Sequence, residues 1–252
     1  MNIKNVPNNQ NFTARCPQIR EAQLVCRKVN STYPHISVSK IRSNIHDLGV
    51  RYGVLNKEQK VSSLSFLQPN SMHNKAFRKL YNFGMRVSEK FFYIRKAWGT
   101  SQTFDALTVD KVLWLFKRHK MGNCGEEAFA AAALLRQRGY KNVYAVPITK
   151  NRERVDHAVC IYNFDDSPFK NKITNKTIII DPWIGKADFA HNIFREYKNL
   201  YSSVWNISEN DKLGTSIRLI HKLDLDDMDI FCLGQKYPEF FSEKSQKITL
   251  VN

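Results

Sequence analysis

Three residues that could carry nucleophilic chemistry follow one another along the chain, namely Cys124, His157 and Asp181. A thiol becomes an effective nucleophile when its thiolate form is stabilised, and both a helix N-terminus and a nearby imidazole provide that stabilisation. A carboxylate that orients the imidazole would complete a set of nucleophile, base and orienting acid. These residue types, in this order, indicate covalent catalysis through sulfur.

Cys124 is predicted to lie at the start of a helix. The glycines on either side of Asn123-Cys124 allow a sharp turn, and the alanine- and leucine-rich run that follows favours a helix over about 124–138, with Gly139 as its C-terminal cap. The unpaired amides of such an N-terminus favour a thiolate and could hold an oxyanion. Glu126 and Glu127 oppose this effect in the first turn, so we expect them to point away or to pair with a base.

Beyond the helix the apolar period changes to that of strands. The predicted strands cover residues 142–148, 157–164 and 176–181, with a polar loop over 165–175. If the last two strands form an antiparallel hairpin centred near Phe169, His157 lies directly opposite Asp181, about 5 Å away. The pattern therefore predicts that the imidazole and the carboxylate form a pair.

Each of these residues also has an ordinary structural interpretation. Alone, His157 would be a strand-end histidine and Asp181 a turn former before Pro182, but their order and implied pairing favour the three-residue site. His119 is a rival base within the basic run 117–120.

The other cysteines are predicted to be structural. Cys16, Cys26 and Cys232 are expected in the core, since an isolated cysteine in an apolar context usually packs there. Cys160 follows His157 by three positions in the same strand, so its side chain is expected on the opposite face.

Together, Gly122-Asn-Cys-Gly-Glu126, Asp156-His-Ala-Val159 and Ile180-Asp-Pro-Trp183 resemble the transglutaminase-like branch of the papain-like thiol enzymes. In particular they are similar to versions that bacterial pathogens carry as secreted effectors. The resemblance covers about residues 113–183. It implies an α+β, papain-like core, with the nucleophile at the N-terminus of a central helix packed on an antiparallel sheet. It also implies Cys124 as nucleophile, His157 as base, Asp181 as orienter and a thioester intermediate.

The chain departs from related families in two places. Papain-type proteases usually carry Asn in the third position and a Gln about six residues before the cysteine, where this chain has Arg118. The second oxyanion donor is therefore open, and Gln102, Asn123 and Trp114 are candidates. Arylamine acetyltransferases also use Cys, His and Asp, but their arginine- and double-glycine-rich approach to the cysteine is missing.

The length of 252 residues allows one good core with an appended lobe. We expect a polar, partly disordered N-terminal region over 1–58 and a single catalytic domain with a helical N-terminal lobe over 59–252. An amphipathic helix is predicted from Ser71, with an aromatic stripe that faces the core and a basic face. A second helix, near 109–120, should lead into the cysteine turn and support it.

The chain is strongly basic, with 39 Lys and Arg against 23 Asp and Glu and a net charge of +16. Such a field attracts acidic partners. No zinc-finger, RRM or helix-turn-helix pattern accompanies the charge, so we expect no nucleic acid partner and favour an acidic protein substrate. Peripheral contact of the basic helix with an anionic membrane is a further expectation.

No cofactor and no metal are predicted. The acidic run 224–229 resembles a calcium loop, but Met228 and Asp229 occupy positions where that loop needs a ligand and a glycine. No zinc-spaced His and Cys cluster or phosphate-binding glycine loop is found.

The cysteines and the N-terminus bear on the compartment. Five irregularly spaced cysteines favour a reducing compartment, and no apolar Sec signal or membrane span is seen. On the resemblance alone, export would use a specialised secretion system into a host cell.

Acyl transfer on protein amides is the expected function. Glutamine deamidation or transglutamination of a host protein is preferred. A cysteine protease or isopeptidase is the alternative, and a non-catalytic binding module that keeps the fold is the opposing class.

Overall fold

The computed structural model of the protein describes residues 16–51, 75–97, 109–170, 172–215, 221–222 and 225–242. Helices surround an antiparallel sheet in these residues, which confirms the predicted α+β class. The helices are α1 (Pro17–Thr32), α2 (Val38–Arg51), α3 (Lys75–Ala97), α4 (Val109–Trp114), α5 (Cys124–Gln137), α6 (Ala190–Leu200), α7 (Ser202–Trp205), α8 (Asp227–Lys236) and α9 (Pro238–Phe241), with a π-helical segment over Leu115–His119. The strands are β1 (Ile36–Ser37), β2 (Met121–Gly122), β3 (Val143–Lys150), β4 (Glu153–Asn163), β5 (Thr177–Asp181), β6 (Lys186–Phe189), β7 (Leu213–Thr215) and β8 (His221–Lys222).

The main sheet has the strand order β6-β5-β4-β3-β7, and β8 also pairs with β3. Helices α1, α4 and α5 cover one face, and α6 covers the other. Because both faces are covered, the central strands carry runs of buried apolar residues, and every residue of β5 is buried. The sheet is therefore a rigid platform for the side chains at its strand ends.

Helix α5 crosses the sheet at close range, since its run of alanines from Ala128 to Ala133 presents little bulk; of these residues, only Phe129 is large. Its start at Cys124 was predicted. It ends near Gly139, whose φ of 90° is the left-handed conformation that a glycine cap adopts.

The predicted hairpin register is wrong by two residues. Cys160 pairs with Ile180 and Asn163 pairs with Thr177, so His157 is not directly opposite Asp181. Side chains alternate with a period of two, so a shift of two positions leaves both side chains on the same face. A diagonal neighbour is still within reach of a long side chain, and the pairing of the two groups survives the error.

A bulge in β4 falls beside His157. Pro147 pairs with Ala158, whereas Thr149 pairs with Arg154, so β4 holds extra residues between these two pairs. Bulges bend a strand and redirect its side chains. The direction of His157 is therefore set by this bulge as well as by strand alternation.

Two helices lie within residues 1–58, the region predicted to be polar and partly disordered. Helix α1 buries apolar side chains in the same core as α5. Those residues are Ile19, Ala22, Val25, Cys26 and Val29. Residues 1–15 and 52–58 lie outside the described residues.

Both helices predicted before the cysteine turn are found. Helix α3 buries Phe77 and Phe91, so its aromatic stripe faces the core as expected, while Ser71 lies outside the described residues. The second helix is α-helical to Trp114 and then widens into the π-helical segment. The sequence pattern did not indicate this change.

The structure corrects one prediction about the cysteines. Cys26 and Cys160 are buried as expected, but Cys232 is exposed on α8 and Cys16 is half-buried. Cys160 joins the core on the α5 side of the sheet, whereas His157 contacts Tyr197 of α6, so the predicted opposite facing is confirmed. All five cysteines are free thiols.

Candidate active site

Cys124 is the first residue of α5, and its side chain is largely buried at 8% exposure. Asn123 precedes it in an extended conformation, and the Asn123 carbonyl accepts the first helical hydrogen bond, from Glu127 N at 2.9 Å. The amides of the first turn have no acceptor within the helix. The thiol therefore lies at the positive end of the α5 dipole.

His157 connects the thiol to the carboxylate. Its Nε2 lies 2.6 Å from Asp181 Oδ2, and the Cys124 side chain is close enough to help raise the pKa of the imidazole. Because Nε2 is engaged by Asp181, Nδ1 is the ring nitrogen left for the sulfur. The structure thus brings together the three residues that the sequence singled out.

The environment of His157 favours its charged form. Burial alone would lower the pKa of His157, but the charge and hydrogen bond of Asp181, and then the hydrogen bond and charge of Cys124, outweigh it and raise the pKa to about 10. An imidazolium beside the sulfur stabilises a thiolate.

Asp181 is fully buried and accepts hydrogen bonds from three groups. Oδ2 accepts from His157 and from the Tyr197 hydroxyl at 2.5 Å, and Oδ1 accepts from Ile184 N at 3.3 Å. Burial and the charge of Asp181 hold the pKa of Tyr197 well above its usual range, so the phenol remains a donor. These bonds fix the carboxylate in the orientation that faces the imidazole.

The turn after β5 is fastened by the N-terminal helices. Three successive carbonyls, from Asp181 to Trp183, each accept a hydrogen bond from a side chain of α1 or α2. The pairs are Cys26 Sγ with Asp181 O at 3.7 Å, Asn30 Nδ2 with Pro182 O at 2.8 Å and Lys40 Nζ with Trp183 O at 3.0 Å. Residues within the N-terminal region thus help to position the orienting acid.

Aromatic rings surround the imidazole. Trp205 stacks on His157 with ring centres 4.3 Å apart and planes 29° apart, while Trp183 and Tyr197 contact it edge-on at 5.6 and 5.7 Å. A stacked indole attracts a cation and so favours imidazolium. Trp183 also packs with Cys124 and Ala158, which leaves the thiol little exposure to water.

The two first-turn glutamates are both buried, and Glu127 pairs with a base as anticipated. Its Oε1 lies 3.1 Å from His35 Nε2, and His35 Nδ1 lies 2.9 Å from the Tyr33 carbonyl. Both ring nitrogens of His35 thus face an oxygen that can accept a hydrogen bond. Glu127 is thereby engaged at a second buried histidine rather than at the thiol.

The rival base and the candidate oxyanion donors that the sequence suggested lie in different environments. His119, the rival base, packs against Trp114 with ring centres 4.6 Å apart. Of the proposed oxyanion donors, Asn123 is the N-cap of α5, Trp114 is 38% exposed, and Gln102 lies outside the described residues. The backbone amides of the first turn of α5 are a further candidate.

The acidic run near the C-terminus caps a helix. Asp226 accepts from Asp229 N and Asp229 accepts from Asp226 N, a reciprocal arrangement that begins α8. Among the described residues, no group of three or more His, Cys, Asp or Glu side chains could hold a metal ion.

Tyr197, Cys26, Asn30 and His35 were missed by the sequence interpretation. For α1 a pattern was available, because its apolar residues recur every three to four positions after Pro17. Comparison of the chain with protein-family models, curated proteins and solved structures gave no match.

Proposed function

We propose that the protein is a cysteine-dependent enzyme that transfers acyl groups from protein amides, with Cys124 as nucleophile, His157 as base and Asp181 as orienter. One observation carries the proposal: a thiol at a helix N-terminus, an imidazole and a carboxylate lie together in a buried site, and the imidazole is hydrogen-bonded to the carboxylate. Nucleophile, base and orienting acid in this order are the arrangement of a thiol acyl-transfer enzyme. The motif resemblance supports a papain-like, transglutaminase-like version of the α+β fold.

In the proposed reaction, the thiol proton is already held by His157, whose charged form the site favours, and the thiolate attacks the amide carbon. The carbon–nitrogen bond breaks, His157 returns the proton to the leaving nitrogen, and a thioester forms on Cys124. His157 then takes a proton from water, which attacks the thioester and releases a carboxylate, and the thiol regains its proton. First-turn amides of α5 would hold the oxyanion of both tetrahedral intermediates.

The burial of the site supports a side-chain amide as substrate. Cys124 and His157 are only 8% and 4% exposed, and Trp183 is 5% exposed beside them. A single glutamine side chain needs less access than an extended peptide backbone, so glutamine modification is favoured over peptide or isopeptide hydrolysis.

The charge of the chain supports water as the acceptor. A net charge of +16 attracts an acidic protein and disfavours a lysine-rich acceptor. We therefore place deamidation before transglutamination. The bacterial effector role, with delivery into a host cell by a specialised secretion system, rests on the motif resemblance.

The test incubates the protein with a host-cell lysate and examines the lysate proteins by mass spectrometry. Cys124→Ala is the inactive variant, and Cys232→Ala, which removes an exposed thiol far along the chain, is the matched control. Glutamine converted to glutamate by the wild type and Cys232→Ala, but not by Cys124→Ala, supports deamidation. Cleaved backbones with intact glutamines would assign proteolysis, and no product with any variant would favour a binding module.

A further inference from the structure

Helix α3 carries a continuous basic and aromatic stripe on its outward face. The spacing of these residues, four, four, three, four and three, places them on one side of the helix. The stripe consists of Lys75, Lys79, Phe83, Arg86, Lys90 and Tyr93, all exposed. The single acid of α3, Glu89, is also exposed and lies at the edge of this stripe, three residues from Arg86 and four from Tyr93.

The aromatic members of the stripe are unusual for an outward face. Phe83 is 49% exposed and Tyr93 is 75% exposed, although the opposite face of α3 already buries Phe77 and Phe91 in the core. The inward face thus satisfies the packing of the helix. The exposed rings are additional apolar surface among four cations.

The positive surface continues from α3 onto the π-helical segment. Burial, followed by the positive charges of Lys90 and Arg118, lowers the pKa of His119. Lys90 of α3 and Arg118 of the π-helical segment are therefore both close enough to His119 to affect its charge. Trp114, 38% exposed, packs beside His119. Cations and partly exposed rings therefore extend beyond the stripe itself.

We propose that this face of α3 docks on the surface of an anionic lipid bilayer. The stripe from Lys75 to Tyr93 runs about 27 Å along one helix, which is long enough to lie along a planar surface. Lysine and arginine attract the anionic leaflet, and aromatic side chains settle at the headgroup level. A single-stranded nucleic acid would be expected to bind in a groove lined by cations, with aromatic rings on which its bases stack. An acidic protein would be attracted by the cations alone and would not require the exposed rings.

The docking is peripheral. Within the described residues, no helix has the length and apolar character needed to cross a membrane. The attachment depends on charge and on shallow insertion of two rings, so it should weaken with salt. It is also independent of the chemistry proposed for Cys124.

The test measures co-sedimentation of the full chain with vesicles of phosphatidylcholine alone and with about a third phosphatidylserine. We expect binding to the anionic vesicles only, with loss at high salt. The double variant Lys79→Glu/Lys90→Glu should bind at least about tenfold more weakly, since each cation contributes about fivefold. Lys172→Glu/Lys212→Glu makes the same charge change at exposed positions outside α3 and should bind within about threefold of wild type.

Two further variants separate the contribution of the aromatic rings to vesicle binding from that of the charges and of the proposed catalytic site. Phe83→Ser/Tyr93→Ser keeps the charge and should still weaken binding severalfold, and Cys124→Ala should bind as wild type does. The proposal is overturned if neutral vesicles bind equally, if both charge variants lose binding alike, or if the α3 variant affects binding to RNA or an acidic protein but not to vesicles. Matching thermal unfolding midpoints would show that each variant is folded.

Discussion

At the residue scale, one carboxylate oxygen serves two side chains from different elements. Asp181 Oδ2 accepts from His157 of β4 and from Tyr197 of α6, in a site where all three side chains are buried. A buried carboxylate is stabilised only if its lone pairs are satisfied. In the proposed reaction, Tyr197 is therefore a positioning residue, which holds the acid in place while the imidazole exchanges its proton with sulfur.

Tyr197→Phe removes this hydrogen bond and keeps the ring. We expect the free energy of unfolding to fall by about 1–3 kcal/mol, because one donor to a buried charge is lost. The turnover number should fall while KM stays unchanged, since the ring does not contact substrate in the proposed reaction. Urea unfolding and steady-state kinetics measure the two effects.

Tyr201→Phe is the control for that substitution, because it removes the hydroxyl of a half-buried tyrosine in the same aromatic group. It should change stability by less than about 0.5 kcal/mol. Equal effects of the two variants would argue against a specific role for Tyr197.

At the element scale, a short strand pair and a tight turn place the thiol. Strand β1 pairs in parallel with β2, two residues before Cys124, and Gly122 packs against the edges of both the Phe116 and His35 rings. These rings stack with centres 4.0 Å apart. The turn is therefore fixed by packing from both the N-terminal region and the π-helical segment.

Gly122→Ala should disturb this turn. A Cβ at this position would collide with the Phe116 ring and lie 2.9 Å from His35 Cδ2. We expect a loss of about 1–3 kcal/mol in the free energy of unfolding, measured by urea titration, as is usual for overpacking. The reactivity of Cys124 should fall with it.

Gly234→Ala is the matched control, since the added Cβ meets nothing within 4 Å in helix α8. It should raise stability by about 0.5–1 kcal/mol through better helix propensity. A Gly122→Ala protein as stable and as reactive as wild type would contradict the role assigned to the turn.

Part of the site could be predicted from the sequence because its helix and strands have local sequence patterns. Glycine and alanine content predicted α5, and strand periodicity predicted β4 and β5, because these patterns are local. The register was wrong because the loop between the strands does not fix its own centre. Tyr197 was missed because its contact with Asp181 depends on how α6 docks on the sheet, which no local pattern specifies.

At the scale of the whole molecule, the charge of His157 links the site to stability. The raised pKa means that the folded protein holds a proton more tightly than the unfolded chain does. This contribution to stability is fully present below the ordinary histidine pKa of about 6.5. It is lost as the pH rises through the folded pKa of about 10.

The pH dependence of stability is best measured as a difference between the wild type and a variant that lacks His157. The free energy of unfolding of the wild type should decline between about pH 7 and pH 10 more steeply than that of His157→Gln, which lacks the titrating group. Chemical unfolding at several pH values, with both proteins in the same buffers, measures it. Parallel curves would show that the histidine holds no additional proton in the folded state.

Cys124 is proposed to be an activated nucleophile, and its rate of alkylation is the direct measure of that activation. The measurement uses a Cys16→Ser/Cys232→Ser background, which removes the half-buried and exposed thiols. Burial raises the pKa of Cys160 and, with the charge of Asp181, that of Cys26, so these two should remain silent. With iodoacetamide at pH 7, we predict that Cys124 reacts faster than free cysteine and at least about tenfold more slowly after His157→Ala. A rate no greater than that of free cysteine, or one unchanged by His157→Ala, would contradict the account.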